Sequence, residues 1–132
     1  MLHKKTACLS GAIVLFLLIF SGCYKTTTIV KNPANDITTE MSYAKDIQPI
    51  FDKSCAVSGC HLTGGKAPDL TTANSYKSLT LGNYVKAGDP DNSLLMLWLT
   101  GKKNPVMPIG SGPDAAINAK IYAWIKQGAK NN

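Results

Sequence analysis

The chain has 132 residues, 45% of them hydrophobic and 17% charged, which is room for one small domain and not for two. Fourteen basic residues against eight acidic ones give a formal net charge of +6, and all fourteen are lysine. A lysine excess without arginine argues against a nucleic-acid reader, which leans on the arginine fork; it reads as a solvated surface that favours an acidic partner.

In chain order, the first element is an export signal. Lys4 and Lys5 precede an uncharged run from Gly11 to Phe20, the basic start and short apolar stretch of a secretory signal. The run is too short for a membrane span, which needs about 20 apolar residues. It ends in Phe20-Ser21-Gly22-Cys23, which resembles the lipobox of bacterial lipoproteins, where the cysteine becomes the acylated first residue of the mature chain. Phe20 stands where that box usually carries leucine. The resemblance implies a signal peptide over 1–22, a lipid on Cys23, and an exported, membrane-anchored protein facing the periplasm or the cell surface. An ordinary signal peptide cut nearby, or an uncleaved anchor, is the alternative. Cleavage before Cys23 removes Lys4 and Lys5, leaving 110 residues with a formal charge of +4. Residues 23–41 are polar and threonine-rich and hold no apolar period, so they read as a tether between lipid and domain. The domain is expected over 42–132.

From Ser42 onward the pattern is helical. Ile47, Ile50 and Phe51 share one face, Asp46 is the expected N-cap, and the helix runs to about Cys55 with Pro49 near its first turn. Residues 58–71 contain Gly59, Gly64, Gly65 and Pro68 and read as loop. A short helix is expected over Thr72–Leu79, capped by Thr71 or Thr72. After the turn Lys86–Pro90 comes a helix over Ser93–Thr100, capped by Asp91 or Ser93 and apolar nearly all round, hence buried. Residues 101–113 form a second long loop with Pro105, Pro108 and Pro113. The last helix starts at Pro113 or Asp114, runs to Gln127 and stops at Gly128, with Ile117, Ile121, Trp124 and Ile125 facing inward. No segment alternates as a strand does. The expected fold class is all-α, a small helical domain with two long loops that something other than secondary structure must hold.

The chemistry sits in Cys55-Ala56-Val57-Ser58-Gly59-Cys60-His61. Two cysteines with histidine directly after the second are the attachment signature of c-type haem: the thiols add to two vinyl groups and the histidine lies under the iron. Four residues separate the cysteines here instead of two. The extra length can bulge outward while the Cys60–His61 step is kept, with Gly59 supplying the backbone freedom. A Cys55–Cys60 disulfide is the main alternative, since exported thiol pairs normally oxidise. Zinc is the other, but it wants three or four protein ligands, and outside the signal only one histidine remains. If haem is held, a second axial ligand is needed. Met107, in the loop Asn104–Gly110 between two prolines, suits it better than Met96, which reads as core filler, or Met41 at the domain edge. Leu70, Leu79, Leu94, Leu97, Trp98, Ile109 and Trp124 are then the candidate walls, and the protein without haem is expected to fold poorly.

At this point the chain resembles a known family. It looks like a class I-type c-type cytochrome, and specifically the domains called planctomycete-type cytochrome c. The resemblance is carried by Asp46-Ile47-Gln48-Pro49-Ile50-Phe51, Cys55-x4-Cys60-His61, Pro68-Asp69-Leu70, Gly88-Asp89-Pro90-Asp91-Asn92-Ser93-Leu94-Leu95, Met107-Pro108 and Ile121–Ala129, in that order, over about residues 43–129. It implies a cytochrome c-like domain wrapped around one covalent haem c, with Cys55 and Cys60 as thioether donors, His61 as proximal and Met107 as distal iron ligand. It implies an electron carrier and not an enzyme, with donor and acceptor redox proteins as partners and Lys53, Lys66 and Lys102 or Lys103 steering an acidic surface. Two other readings stay open on residues alone: a haem-based sensor in which Met107 swings away to admit a ligand, and a non-haem lipoprotein with a Cys55–Cys60 disulfide.

Overall fold

A computed structural model describes residues 37–132. The expected signal peptide, Cys23 and most of the tether lie outside the described residues. Among those described there are helices and no strands, as expected of an all-α chain. No helix among them is long and apolar enough to cross a membrane.

The first helix begins as one π turn, Tyr43–Ile47, and continues as α1, Gln48–Ser54, with Pro49 in its first turn. Its N-cap is Ser42, not Asp46. Ser42 Oγ accepts from the Lys45 N–H at 3.3 Å, and Asp46 Oδ2 accepts from the Ser42 N–H at 2.8 Å. This is the reciprocity of a capping box stretched by one residue to match the wider turn. Ile47 and Phe51 are fully buried and Ile50 half-buried, so the expected face is the inward one.

The second helix, α2, is Ser75–Leu81, displaced from the expected Thr72–Leu79. The threonines expected to cap it are engaged elsewhere: Thr71 N and Oγ1 both donate to Asp69 Oδ1, and Thr72 Oγ1 donates to Asp52. A 3-10 turn, Pro90–Asn92, leads into α3, Leu94–Leu99. Ser93 holds the N-cap position, but its hydroxyl turns away from the helix, accepting from Lys86 N and donating to Asp89 O, each at 2.9 Å. It ties the preceding loop shut.

The last helix, α4, is Ala115–Lys126. Asp114 caps it, Oδ1 accepting from Ala116 N at 2.9 Å and Ile117 N at 3.0 Å, so Pro113 precedes the cap and is not the first helical residue. Gly128, at φ +103°, supplies the left-handed residue that ends the helix.

The core is aromatic and lies between the first helix, α2 and α4. Trp124 sits 5.2 Å from Tyr43, which meets Tyr76 edge-on at 5.2 Å. The polar ends of these rings are satisfied: Trp124 Nε1 donates to Lys130 O and Tyr76 OH to Ala129 O. Tyr43 OH donates to Ser75 Oγ, which donates to Gln48 Oε1, while Gln48 Nε2 donates to Leu70 O and Asp52. Burial pushes the Tyr43 phenol up to about 12, so it stays a neutral donor.

Both ends of the described chain fasten to one pole of this core. Gln127 grips the segment before the first helix, its Oε1 accepting from Met41 N and its Nε2 donating to Thr39 O, and Lys130 pairs with Glu40 at 2.7 Å. Residues 39–41, assigned to the tether by composition, are therefore packed against the domain. Asn132 accepts from the first helix's start, its Oδ1 from Tyr43 N and its main-chain O from Ala44 N, both at 2.9 Å.

Two stability changes follow. Asp114→Ala removes a cap and should cost about 1 kcal/mol. Trp124→Ala empties the aromatic core and should cost about 3–5 kcal/mol. Denaturant unfolding of the two variants measures both.

Candidate functional site

Cys55 follows α1 directly. Its N–H still donates to Phe51 O, as does that of Ala56, so the helix end fixes where the thiol starts. The chain then closes on itself: His61 N–H donates to Cys55 O at 3.1 Å and Cys60 N–H to Val57 O at 2.9 Å. The four-residue insert bulges outward between these bonds, with Val57, Ser58 and Gly59 exposed and Gly59 at φ +78°, as the sequence leads one to expect.

Both cysteines are free thiols. Burial, reinforced by the neighbouring Cys60, pushes the Cys55 thiol up to about 11. That is opposite to the depressed value of a redox-active cysteine.

His61 is held more tightly than its neighbours. Its Nδ1 lies 3.0 Å from Lys66 O and 3.0 Å from Pro68 O. Carbonyls only accept, so Nδ1 carries the proton, and in the neutral ring the lone pair is on Nε2. No group of the described residues bonds Nε2. The main chain completes the grip: Leu70 N–H donates to His61 O at 2.8 Å and Lys66 N–H to Cys60 O at 2.9 Å. Gly65 lets this turn close. A Cβ there would meet Cys60 O at 2.5 Å and Leu62 O at 3.0 Å.

Met107 reaches the site by a different device. The last carbonyls of a helix have no partners within it, and the short α3 uses them to hang the 101–113 loop. Lys103 N–H donates to Leu97 O and Met107 N–H to Trp98 O, while Asn118 Nδ2 of α4 takes Leu99 O. Met107 is half-buried against the core. The loop after it, Pro108–Asp114, lines a cavity of about 400 Å³ together with Ser54 and Ile117. Ser54 ends α1 and immediately precedes Cys55, so the start of the cysteine–histidine loop adjoins this space. Its size falls within the range of about 300–1,000 Å³ usual for ligand and cofactor sites.

The apolar residues divide. Leu79 and Trp124, offered by sequence as walls, are fully enclosed by the core, and Leu70 nearly so. Leu94, Leu97 and Trp98, one face of α3 at helical spacing, are only half-buried. Of the four large apolar side chains left exposed among the described residues, Val57, Leu62 and Ile109 belong to the two site loops. Trp98 packs on Tyr84 at 6.4 Å with Lys103 Nζ 5.6 Å above its ring. Its Nε1–H is buried, and no acceptor among the described residues meets it.

The described residues contain no cage of three or more His, Cys, Asp or Glu side chains suited to a bare metal ion. The donor types present fit haem c: two uncommitted thiols, an imidazole nitrogen with its lone pair free, a half-buried thioether at Met107, and a buried N–H lacking an acceptor. Sequence reasoning missed the features that orient His61, namely Gly65 and the carbonyls of Lys66 and Pro68, and it missed the unpartnered donor of Trp98. A proline seven residues beyond the histidine was the available signal. Comparison of the chain with protein-family models, with curated proteins and with solved structures gives no match.

Two measurements probe this geometry. In the reduced protein without cofactor, a folded domain should keep Cys55 alkylation slow at neutral pH and let it accelerate as pH rises toward about 11, because only the thiolate reacts. The poorly folded chain expected from the sequence would instead react at the ordinary thiol rate. Gly65→Ala drives a methyl into the Cys60 carbonyl and should cost about 1–3 kcal/mol in denaturant unfolding.

Proposed function

We propose that this chain is a membrane-anchored, exported monohaem c-type cytochrome that carries single electrons between redox proteins and turns over no substrate. The observation that carries this reading is His61: its Nδ1 proton is committed to two backbone carbonyls, beside two uncommitted thiols. In that reading Cys55 and Cys60 would hold haem c through thioethers, and His61 Nε2 and Met107 would ligate its iron. A haem held in this way would supply a one-electron ferrous–ferric couple.

The chain's own residues do the rest. The Lys66 and Pro68 carbonyls orient the imidazole and raise its basicity. The carbonyl end of α3 holds the Met107 loop in place. Leu94, Leu97 and Trp98 provide an apolar wall that excludes water, and a low-dielectric surround disfavours the more charged ferric form. Trp98 Nε1–H offers a hydrogen bond to an anionic group at the cofactor's edge. Lys53, Lys66, Lys102 and Lys103 are all exposed and steer an acidic partner, a rate effect that salt weakens. A lipid on Cys23 and a polar tether raise the domain's concentration near partners at one membrane surface.

Expression with the cytochrome maturation machinery tests this. The intact mass should include one haem, and the protein should show a Soret band. Cys55→Ala should leave a single thioether. Met107→Ala should keep the haem and let the ferrous iron bind carbon monoxide, which the parent protein should not do. A colourless product, or a mass of polypeptide and acyl chains alone, would overturn the reading. Rapid carbon monoxide binding by the parent protein would favour the sensor.

A further inference from the structure

The turn that grips His61 is itself anchored by one side chain. Asp69 lies between Pro68, whose carbonyl receives the Nδ1 proton, and Leu70, whose N–H donates to His61 O. Its carboxylate accepts four hydrogen bonds: Oδ1 from Thr71 N at 3.0 Å and Thr71 Oγ1 at 2.6 Å, Oδ2 from Thr63 Oγ1 at 2.7 Å and Asn74 Nδ2 at 2.9 Å. Its own N–H donates to Ser78 Oγ at 3.0 Å. These bonds join the chain just after His61 to the start of α2, a rigid element packed on the core through Ser75 and Leu79. The Thr71 hydroxyl foremost, then the Thr63 hydroxyl, hold the Asp69 carboxyl well below the ordinary carboxylate range. On the Lys66 side the turn is held through the main chain, Lys66 N–H donating to Cys60 O at 2.9 Å, and the Lys66 side chain is exposed.

We propose that Asp69 is a positioning residue for His61: by pinning the Pro68–Leu70 turn to α2 it fixes the carbonyl that receives the imidazole proton, and through that bond it tunes the metal held at Nε2. This deepens the haem reading and rests on it. A firm Nδ1–H···O=C bond gives the ring imidazolate character, which stabilises ferric iron. Loosening the turn weakens the bond and moves the equilibrium toward the ferrous form.

The test uses the matured protein, with haem attachment established first by intact mass. Thr71→Val and Asn74→Ala each remove an uncharged donor from the Asp69 carboxylate, and Asn74 is exposed enough to be replaced without disturbing the core. Each should raise the ferrous-to-ferric ratio about three- to tenfold at a fixed poise against a soluble one-electron dye, tenfold being 59 mV. In the ferrous protein the His61 Nδ1–H should exchange with deuterium faster, while the helical circular dichroism stays unchanged. Asp69→Asn should shift the ratio at least as far. If Asp69→Asn shifts it and the two uncharged variants do not, the carboxylate acts by charge alone and the positioning role is overturned. Unchanged ratios in all three variants overturn it equally. A parent protein that matures without haem overturns the reading beneath it and this role together, an outcome the mass reports before any potential is measured.

Discussion

One N–H donated to two carbonyls governs the site. Because neither Lys66 O nor Pro68 O can donate, the His61 proton has one place to be, and the neutral ring's remaining nitrogen keeps its lone pair. A histidine on an unconstrained loop would sample both tautomers and several ring orientations. Here the backbone removes that freedom before any ligand arrives, so ordering the ring adds little to the cost of binding. The turn that does so closes tightly because Gly65 lacks a side chain.

The rest of the molecule divides the work. Around Trp124, Tyr43 and Tyr76 the core is closed and its polar groups are paired, so the first helix and α4 are fixed relative to each other. Along the Leu94–Leu97–Trp98 face packing is incomplete and one donor lacks an acceptor. The short α3 connects the two regions. Leu95, Met96 and Leu99 bury one side of it in the core, while its spare carbonyls carry the loop of Met107.

Much of this was legible in the sequence. Spacing alone located four helical segments, the inward face of the first, the left-handed stop at Gly128 and the outward bulge at Gly59. What failed was local capping. Asp46 and Thr71 are plausible N-caps by residue type, but one closes a cap opened by Ser42 and the other serves Asp69, because hydroxyls and carboxylates bond whichever backbone group tertiary structure brings near. Residue type also could not separate apolar side chains that fill the core, such as Leu79 and Trp124, from those left half-buried, such as Leu97 and Trp98. That distinction depends on how the helices pack. The grip on His61 was hard to read for a similar reason: main-chain carbonyls carry no sequence signal of their own, and Pro68 is the one trace it leaves.

The placement of the two chain ends has a practical consequence. Asn132 and the 39–41 segment meet at the start of the first helix, whereas Cys55 lies at its other end, roughly 18 Å away at the rise of an α-helix. A purification handle, fluorophore or electrode linker placed next to Thr39 or Asn132 therefore attaches at the pole remote from the cysteine–histidine loop. Immobilised at either position, the domain would present that loop outward.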